Sequence, residues 1–254
     1  MPKIIISGCN GHMGRVVAAL CEADPQVEVV AGFDVMGATD RAFPVYSSPA
    51  QFSGQADAVI DFSSPAALDG LLSFGTATKT PLVLATTGYS PEQIKQIEAA
   101  AQTVPIFRSG NMSLGINVLL ELVKKAAAVL GNSCDIEIVE RHHSRKVDAP
   151  SGTALMIADA AAQGCGHETE YVFERHSVRH PREKKEIGIS SVRGGTIVGE
   201  HEIIFAGHDE VMEIKHSAMS REIFAQGAVA AAKFMAEIQT PGLYDMSHLV
   251  KQVM

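Results

Sequence analysis

The most constraining feature of the chain is a glycine turn set between a strand-like run and a helix-like run. Lys3 to Ser7 is short, apolar and rich in isoleucine, the pattern of a buried strand. Gly8-Cys9-Asn10-Gly11-His12-Met13-Gly14 follows, and Val16, Val17, Ala19 and Leu20 then form one apolar helical face. Glycines at positions 8, 11 and 14 let the chain turn sharply and let a pyrophosphate approach the backbone at a helix N-terminus. The spacing is GxxGxxG rather than the commoner GxGxxG, so its place between strand and helix carries the reading. Asp34 ends the second strand-like run, 20 residues beyond Gly14, where a carboxylate can hydrogen-bond an adenosine ribose. A tight turn with Asp34 as a surface acid is the bland alternative.

The same carboxylate bears on cofactor choice. A negative charge at position 34 disfavours a ribose 2′-phosphate, and Val35 and Met36 supply no arginine to clamp one. NADH is therefore the expected cofactor. Arg41, Arg15 and Lys3 keep NADPH open.

Beyond the turn, strands are expected at Val27 to Ala31, Ala58 to Phe62, Leu82 to Ala85 and Val104 to Phe107. Ala66 to Phe74 reads as a helix, and Ser90-Pro91-Glu92-Gln93 as a helix start with a serine cap and proline at the first position. Repeated βα units of this kind predict a parallel sheet with helices on both faces. The pattern changes near Asn111. Ile116, Leu119, Leu120, Val123, Ala127 and Leu130 recur at helical spacing, and Asp135 to Glu140 alternates as a strand. A helix at Thr153 to Ala162 and strands at Ile187 to Val192, Glu200 to Phe205 and Val211 to His216 complete an antiparallel or mixed second region, and Phe224 to Ile238 reads as an alanine-rich helix.

A second chemical signal is Glu140-Arg141-His142-His143-Ser144-Arg145-Lys146-Val147-Asp148-Ala149-Pro150-Ser151-Gly152-Thr153. Two imidazoles and three basic side chains at a strand end can bind a dianion and supply a proton near neutral pH. His142 and His143 would point to opposite faces of an unbroken strand, so both can serve one site only if the strand ends there. Pro150 to Thr153 reads as a turn into a helix whose N–H groups and hydroxyls could grip a carboxylate. Surface histidines, a solvated charge run and an ordinary helix cap are the competing readings. A metal site is not expected, because adjacent histidines lack the usual ligand spacing.

These motifs resemble the 4-hydroxy-tetrahydrodipicolinate (dihydrodipicolinate) reductase family of the bacterial diaminopimelate route to lysine. The likeness spans essentially the whole chain. Gly8-x-x-Gly11-x-Met13-Gly14 resembles the family's cofactor loop, Asp61-Phe62-Ser63 its third-strand motif, and Thr86-Thr87-Gly88-Tyr89 its nicotinamide segment. Asn111-Met112-Ser113-Leu114-Gly115-Ile116-Asn117 resembles its hinge, and Glu140-x-His142-His143-x-x-Lys146-x-Asp148-x-Pro150-Ser151-Gly152-Thr153-Ala154 its long signature. Arg193-Gly194-Gly195 and Val198-Gly199-Glu200-His201 are similar to later motifs.

The resemblance implies a Rossmann-like dinucleotide-binding domain at 1–112 and 221–254, and an α+β substrate-binding and oligomerisation domain at 113–220. It implies His142 in proton transfer and Lys146 as proton donor. His143 would contact one carboxylate of a small cyclic dicarboxylate, and Gly152 and Thr153 the other. The cofactor would lie against Gly8 to Arg15 (Cys9, Asn10, Gly11, His12, Met13 and Gly14 between them), Asp34, Ala85, Thr86, Thr87, Ser109, Asn111 and Met112. A homotetramer is implied. Three departures from the family pattern stand out: Asp34-Val35 for Glu-Arg, Ala85 for a glycine, and Ser109-Gly110 before Asn111.

Composition narrows the rest. There are 21 Lys plus Arg against 29 Asp plus Glu, a net charge of -8, so no nucleic-acid partner is expected. Charges and glycines interrupt every apolar run, so no membrane association is expected. Four cysteines without a CxxC pair suit a reduced cytoplasmic compartment. Cys9 reads as a small filler in the turn, with a lowered thiol pKa there as the alternative; His201 and His216 read as structural; Arg175 to Lys185 reads as solvated surface rather than a site loop.

Overall fold

The computed structural model describes residues 1–37, 41–177 and 179–253. The chain divides into two compact units, Met1–Ser113 with Glu222–Met254, and Leu114–Arg221. Met254 and Val178, inside the expected domain and basic segment, lie outside the described residues.

The first unit is a seven-stranded sheet. Its strands are β1 (Lys3–Ser7), β2 (Glu28–Phe33), β3 (Val45–Tyr46), β4 (Ala58–Asp61), β5 (Leu82–Leu84), β6 (Pro105–Phe107) and β12 (Gly242–Tyr244), and every pairing is parallel. The order is β12-β6-β5-β4-β1-β2-β3. Helices α1 (His12–Ala23) and α6 (Glu222–Ala236) pack together on one face, and α2 (Leu68–Thr78) and α3 (Pro91–Ala100) on the other. Central strands are covered on both faces and read as unbroken apolar runs: Ile4, Ile5 and Ile6, or Ala58, Val59 and Ile60. The start of α3 follows its sequence closely. Ser90 accepts from the Gln93 N–H, the Gln93 side chain accepts from the Ser90 N–H, and Pro91 stands first.

The sheet order reverses at β1, whose neighbours are β2 and β4. Ligands of such sheets bind beyond the carboxyl ends of the strands at that point. The glycine turn, Asp34 and Phe62-Ser63 all leave those ends. Lys3 opens β1 and lies at its far end, so it is no candidate for holding a cofactor phosphate.

The second unit is a mixed five-stranded sheet in the order β11-β10-β7-β9-β8. Strands β7 (Asp135–His142), β10 (Gly199–Ala206) and β11 (Val211–Ala218) run antiparallel in turn. Strands β8 (Glu170–Val172) and β9 (Glu186–Arg193) run parallel to β7. Helices α4 (Leu114–Leu130) and α5 (Gly152–Cys165) pack together over one face. Strand β7 alternates strictly, so Ile136, Ile138, Glu140 and His142 all turn inward. The first two are core; the last two put polar chemistry at the strand's end.

The short β12 adds to the edge of the first sheet through Gly242↔Pro105 and Tyr244↔Phe107, and α7 (Met246–Val253) follows it. Among the described residues, no helix is long and apolar enough to cross a membrane.

Candidate active site

In the first unit, Gly8 and Gly14 are required by close contacts, and a Cβ on Gly11 would meet the Gly8 carbonyl oxygen at 3.2 Å. Gly8 has φ +75°, and a Cβ there would meet the Phe62 carbonyl oxygen at 2.8 Å. A Cβ on Gly14 would lie 2.1 Å from the Gly8 carbonyl oxygen and 2.7 Å from Cys9 Cα. The start of α1 therefore sits against the turn, as a dinucleotide loop demands. An open cleft of about 400 Å³ adjoins it, lined among others by Gly8, Gly11, Asp34, Ser47, Phe62 and Ser63. The bare turn, the helix end and the cleft fit the adenosine and pyrophosphate of a nicotinamide cofactor.

Asp34 is tied into this turn. Its Oδ2 accepts the Asn10 N–H at 3.0 Å and its Oδ1 the Met36 N–H at 3.1 Å. Asn10 Nδ2 donates to the Gly37 carbonyl at 3.2 Å. Two guanidiniums cap carbonyls of the same turn: Arg41 Nη2 donates to Cys9 O at 2.7 Å, and Arg15 Nε to Asn10 O at 2.9 Å. Arg41, one of the bases that keep NADPH open, thus lies on the turn itself.

The Cys9 side chain points the other way. It is fully buried, and a Cβ on Gly32 would lie 2.6 Å from its Sγ. Burial, with Asp34 adding to it, pushes the thiol up to about 11, so the alternative of a lowered pKa is corrected and Cys9 fills space beneath the turn. His12 and Met13 open α1. Ala85 N–H donates to the Asp61 carbonyl at 3.0 Å, which places Thr86 and Thr87 just past the end of β5. Asp61 is buried and gathers this edge: Ser63 Oγ donates to it at 2.5 Å, and Tyr89 Oη at 3.3 Å. Burial and Asp61 push the Tyr89 phenol up. Ser109 is half-buried, Asn111 Oδ1 accepts the Ser113 N–H at 2.8 Å, and the Met112 side chain is buried.

In the second unit, strand β7 ends at His142, so His143 leaves strand geometry as the two-histidine reading requires. His142 Nδ1 lies 2.6 Å from Glu140 Oε2, and its ring meets His201 edge-on with centroids 5.2 Å apart. Glu140 is fully buried. Burial alone would raise its pKa; hydrogen bonds from Arg193, Ser191 and His142 outweigh that and hold it down to about 2. Lys146 Nζ sits 2.8 Å from Asp148 Oδ1.

His143 is half-buried, and its Nδ1 is a buried atom with no hydrogen-bond partner among the described residues. Desolvation lowers its pKa, and the charges of Arg145, Arg221 and Lys146 add to the effect. A chain of net charge -8 thus carries a concentrated positive field here. Next to it α5 begins. Ser151 is the N-cap, accepting the Ala154 N–H at 3.1 Å, and Gly152 and Thr153 are the first two helical residues, at the positive end of the helix dipole. A Cβ on Gly152 would meet nothing within 4 Å, so the space over this helix end is open.

The second unit therefore brings His142, His143, Lys146, Gly152 and Thr153 to one end of one sheet. Sequence reasoning assigned no role to Arg193, although it stands in a quoted motif. His201 reads as structural in the sequence, and it holds the cap: its Nε2 is 3.0 Å from Ser151 Oγ. The described residues of the basic segment 175–185 are exposed apart from the partly buried Arg182, as the solvated-surface reading expects. Arg175 pairs with Glu186 and Glu137, and Arg182 with Asp135 and Glu137. These bases are committed to acids on β7 and β9 and leave the site alone. Among the described residues, no group of three or more His, Cys, Asp or Glu side chains is placed to hold a metal ion.

The chain matches two family models end to end, "Dihydrodipicolinate reductase, N-terminus" over residues 2–112 and "Dihydrodipicolinate reductase, C-terminus" over residues 115–250. It is 55% identical over 252 residues to the 4-hydroxy-tetrahydrodipicolinate reductase of Caldanaerobacter subterraneus subsp. tengcongensis, covering 99% of both chains. It is 46% identical over 252 residues to that of Clostridium perfringens (strain SM101 / Type A), again covering 99% of both. Its fold is similar to a solved dihydrodipicolinate reductase from Paenisporosarcina sp. TG-14 with dipicolinate bound, at TM-score 0.79 and 23% identity over 96% of this chain and 97% of that one. On this sequence likeness, the chain belongs to the dihydrodipicolinate reductase family.

Proposed function

We infer that the chain reduces 4-hydroxy-tetrahydrodipicolinate to tetrahydrodipicolinate with NAD(P)H and loss of water, in the diaminopimelate route to lysine. One observation carries the reading within that family: the end of β7 supplies two imidazoles and an ammonium beside an open helix N-terminus, chemistry suited to a dianion that needs a proton. The dipicolinate held by the Paenisporosarcina relative is a cyclic dicarboxylate of the same class.

The nicotinamide, when bound, supplies the hydride. Gly8, Gly11, Gly14 and the α1 N-terminus would hold its pyrophosphate, and Asp34 its adenosine ribose. The substrate's carboxylates are divided between His143 and the N–H and hydroxyl groups of Gly152 and Thr153. His142 exchanges the proton needed as water leaves the ring. Hydride addition at one ring carbon leaves charge on its neighbour, and Lys146 quenches that charge by donating its proton. Ala85, Thr86, Thr87, Ser109, Asn111 and Met112 are read as the nicotinamide side of the cofactor site.

NADH is the preferred donor and NADPH also serves. Asp34 repels a 2′-phosphate, and Arg41 and Arg15 already donate to turn carbonyls. A homotetramer and a reducing, cytoplasmic setting belong to the same reading; the four cysteines are buried and unpaired. The test is cofactor oxidation followed by absorbance, with substrate made in situ by the synthase that condenses pyruvate with aspartate semialdehyde. Oxidation that depends on the synthase, faster with NADH than with NADPH at equal concentration, supports the reading. No oxidation of either cofactor by folded protein with a verified substrate supply overturns it.

A further inference from the structure

We propose that Glu140 is the positioning residue of the substrate site, and that it sets the proton-transfer atom of His142 and the start of α5 together. The proposal rests on His142 as the proton-transfer group of the reaction inferred above.

Glu140 is on the inward face of β7, flanked in register by Ser191 of β9 and His201 of β10. A fully buried carboxylate is costly unless it is paired and hydrogen-bonded. Arg193 supplies the charge through two parallel bonds, Nη1 to Oε2 at 2.7 Å and Nη2 to Oε1 at 2.6 Å. A purely structural ion pair would be complete at that point. Here each carboxylate oxygen has a second partner, and each partner belongs to the site.

Oε2 faces His142 Nδ1 at 2.6 Å. An ionised carboxylate only accepts, so the imidazole hydrogen is on Nδ1. Nε2 is then the atom that gives or takes the proton. The space beside it depends on a glycine: a Cβ on Gly199 would lie 3.1 Å from His142 Nε2. Oε1 accepts the Ser151 N–H at 3.1 Å. Ser151 caps α5, so this bond holds the chain immediately before Gly152 and Thr153. Arg193 extends the same node, since its Nη2 also donates to the Asp148 carbonyl at 2.7 Å, two residues beyond Lys146. One buried carboxylate and its arginine thus touch the His142 ring, the Lys146 loop and the α5 N-terminus.

The experiment compares wild-type enzyme with Glu140→Gln and Glu140→Asp by kcat, KM and pH profile, and reads the His142 ring directly by nitrogen-15 NMR of histidine-labelled full-length protein. Loss of the carboxylate in Glu140→Gln should lower kcat by about 10²-fold and move the His142-dependent acidic limb down by about one pH unit or more, because the imidazolium loses its counter-charge. Glu140→Asp should return the limb toward the wild-type position, since the charge is kept. Wild-type spectra should show neutral His142 with its hydrogen on Nδ1. A Glu140→Gln enzyme with wild-type kcat and an unmoved limb overturns the proposal, whatever its melting temperature. If that variant does not fold, the wild-type spectrum decides alone, and a hydrogen on Nε2 of the neutral ring overturns it. The NMR result needs no turnover, so it stands apart from failure of the coupled oxidation assay, which would strike the reaction itself.

Discussion

Lys146 Nζ lies 2.8 Å from Asp148 Oδ1, so the ammonium read as the proton donor is held by a carboxylate two residues along the same loop. The bond from Lys146 in turn depresses the Asp148 pKa. Lys146→Met removes both the proton and the charge that the proposed mechanism assigns to this position. We expect kcat to fall about 10²-fold or more, with KM also raised, in steady-state assays. Asp148→Asn frees the ammonium and leaves the donor in place, and should cost less than tenfold. Equal losses in the two variants would mean that the loop, rather than the Lys146 proton, is what matters.

Asp34 should govern cofactor choice. Asp34→Asn removes the like charge facing a 2′-phosphate while a side-chain oxygen of the same reach is kept for the Asn10 N–H, which Asp34 holds at 3.0 Å. The NADPH to NADH ratio of kcat/KM should rise by about tenfold, equivalent to ~1.4 kcal/mol. An unchanged ratio would assign discrimination to another group, with Arg41 and Arg15 on the turn the first to substitute.

Gly14→Ala tests the turn. The added methyl would sit 2.1 Å from a backbone oxygen, and backbone cannot swing away as a side-chain tip can. We expect destabilisation at the upper end of the ~1–3 kcal/mol range for overpacking, together with weakened binding of both cofactors by titration calorimetry. Gly152→Ala is the contrast. Its Cβ meets nothing within 4 Å, so stability should hold while substrate affinity falls.

His201 should make stability depend on pH. Burial, reinforced by the charge of His142, pushes this imidazole down to about 4, against about 6.5 in an unfolded chain. Between those values the unfolded state binds more protons. The contribution is therefore complete above about pH 6.5 and is lost as pH falls toward 4, by at most roughly 3 kcal/mol. Urea midpoints should drop across that window, and His201→Gln should flatten the slope. A slope unchanged by the substitution would assign the effect to other groups.

Much of the first unit was legible because its signals are local. Ile4 to Ile6 bury on both faces, Ser90-Pro91-Gln93 carries its own cap, and Asp34 follows the glycine turn at the spacing that a βαβ unit dictates. The two-residue β3 and the three-residue β8 and β12 are too short to show a period, and they exist only through their neighbours. Lys3 looked available until the strand placed it at the wrong end. In the second unit the signature around His142 was plain, but the Glu140 to Arg193 bond was not. Those residues are 53 apart in sequence and meet through parallel pairing of β7 with β9, where His142 aligns with Arg193. No local pattern predicts a strand register. Cys9 shows the same limit: its place in the turn was readable, but the direction of its side chain depends on Gly32 of the adjacent strand.

The most direct test of the account follows the hydride itself. NADH deuterated at the transferred position would be supplied with substrate formed in situ, and the tetrahydrodipicolinate analysed by mass spectrometry. The account predicts one deuterium per product molecule, formed in step with cofactor oxidation and lost together with activity in Lys146→Met. Cofactor oxidation that leaves the product unlabelled would contradict it.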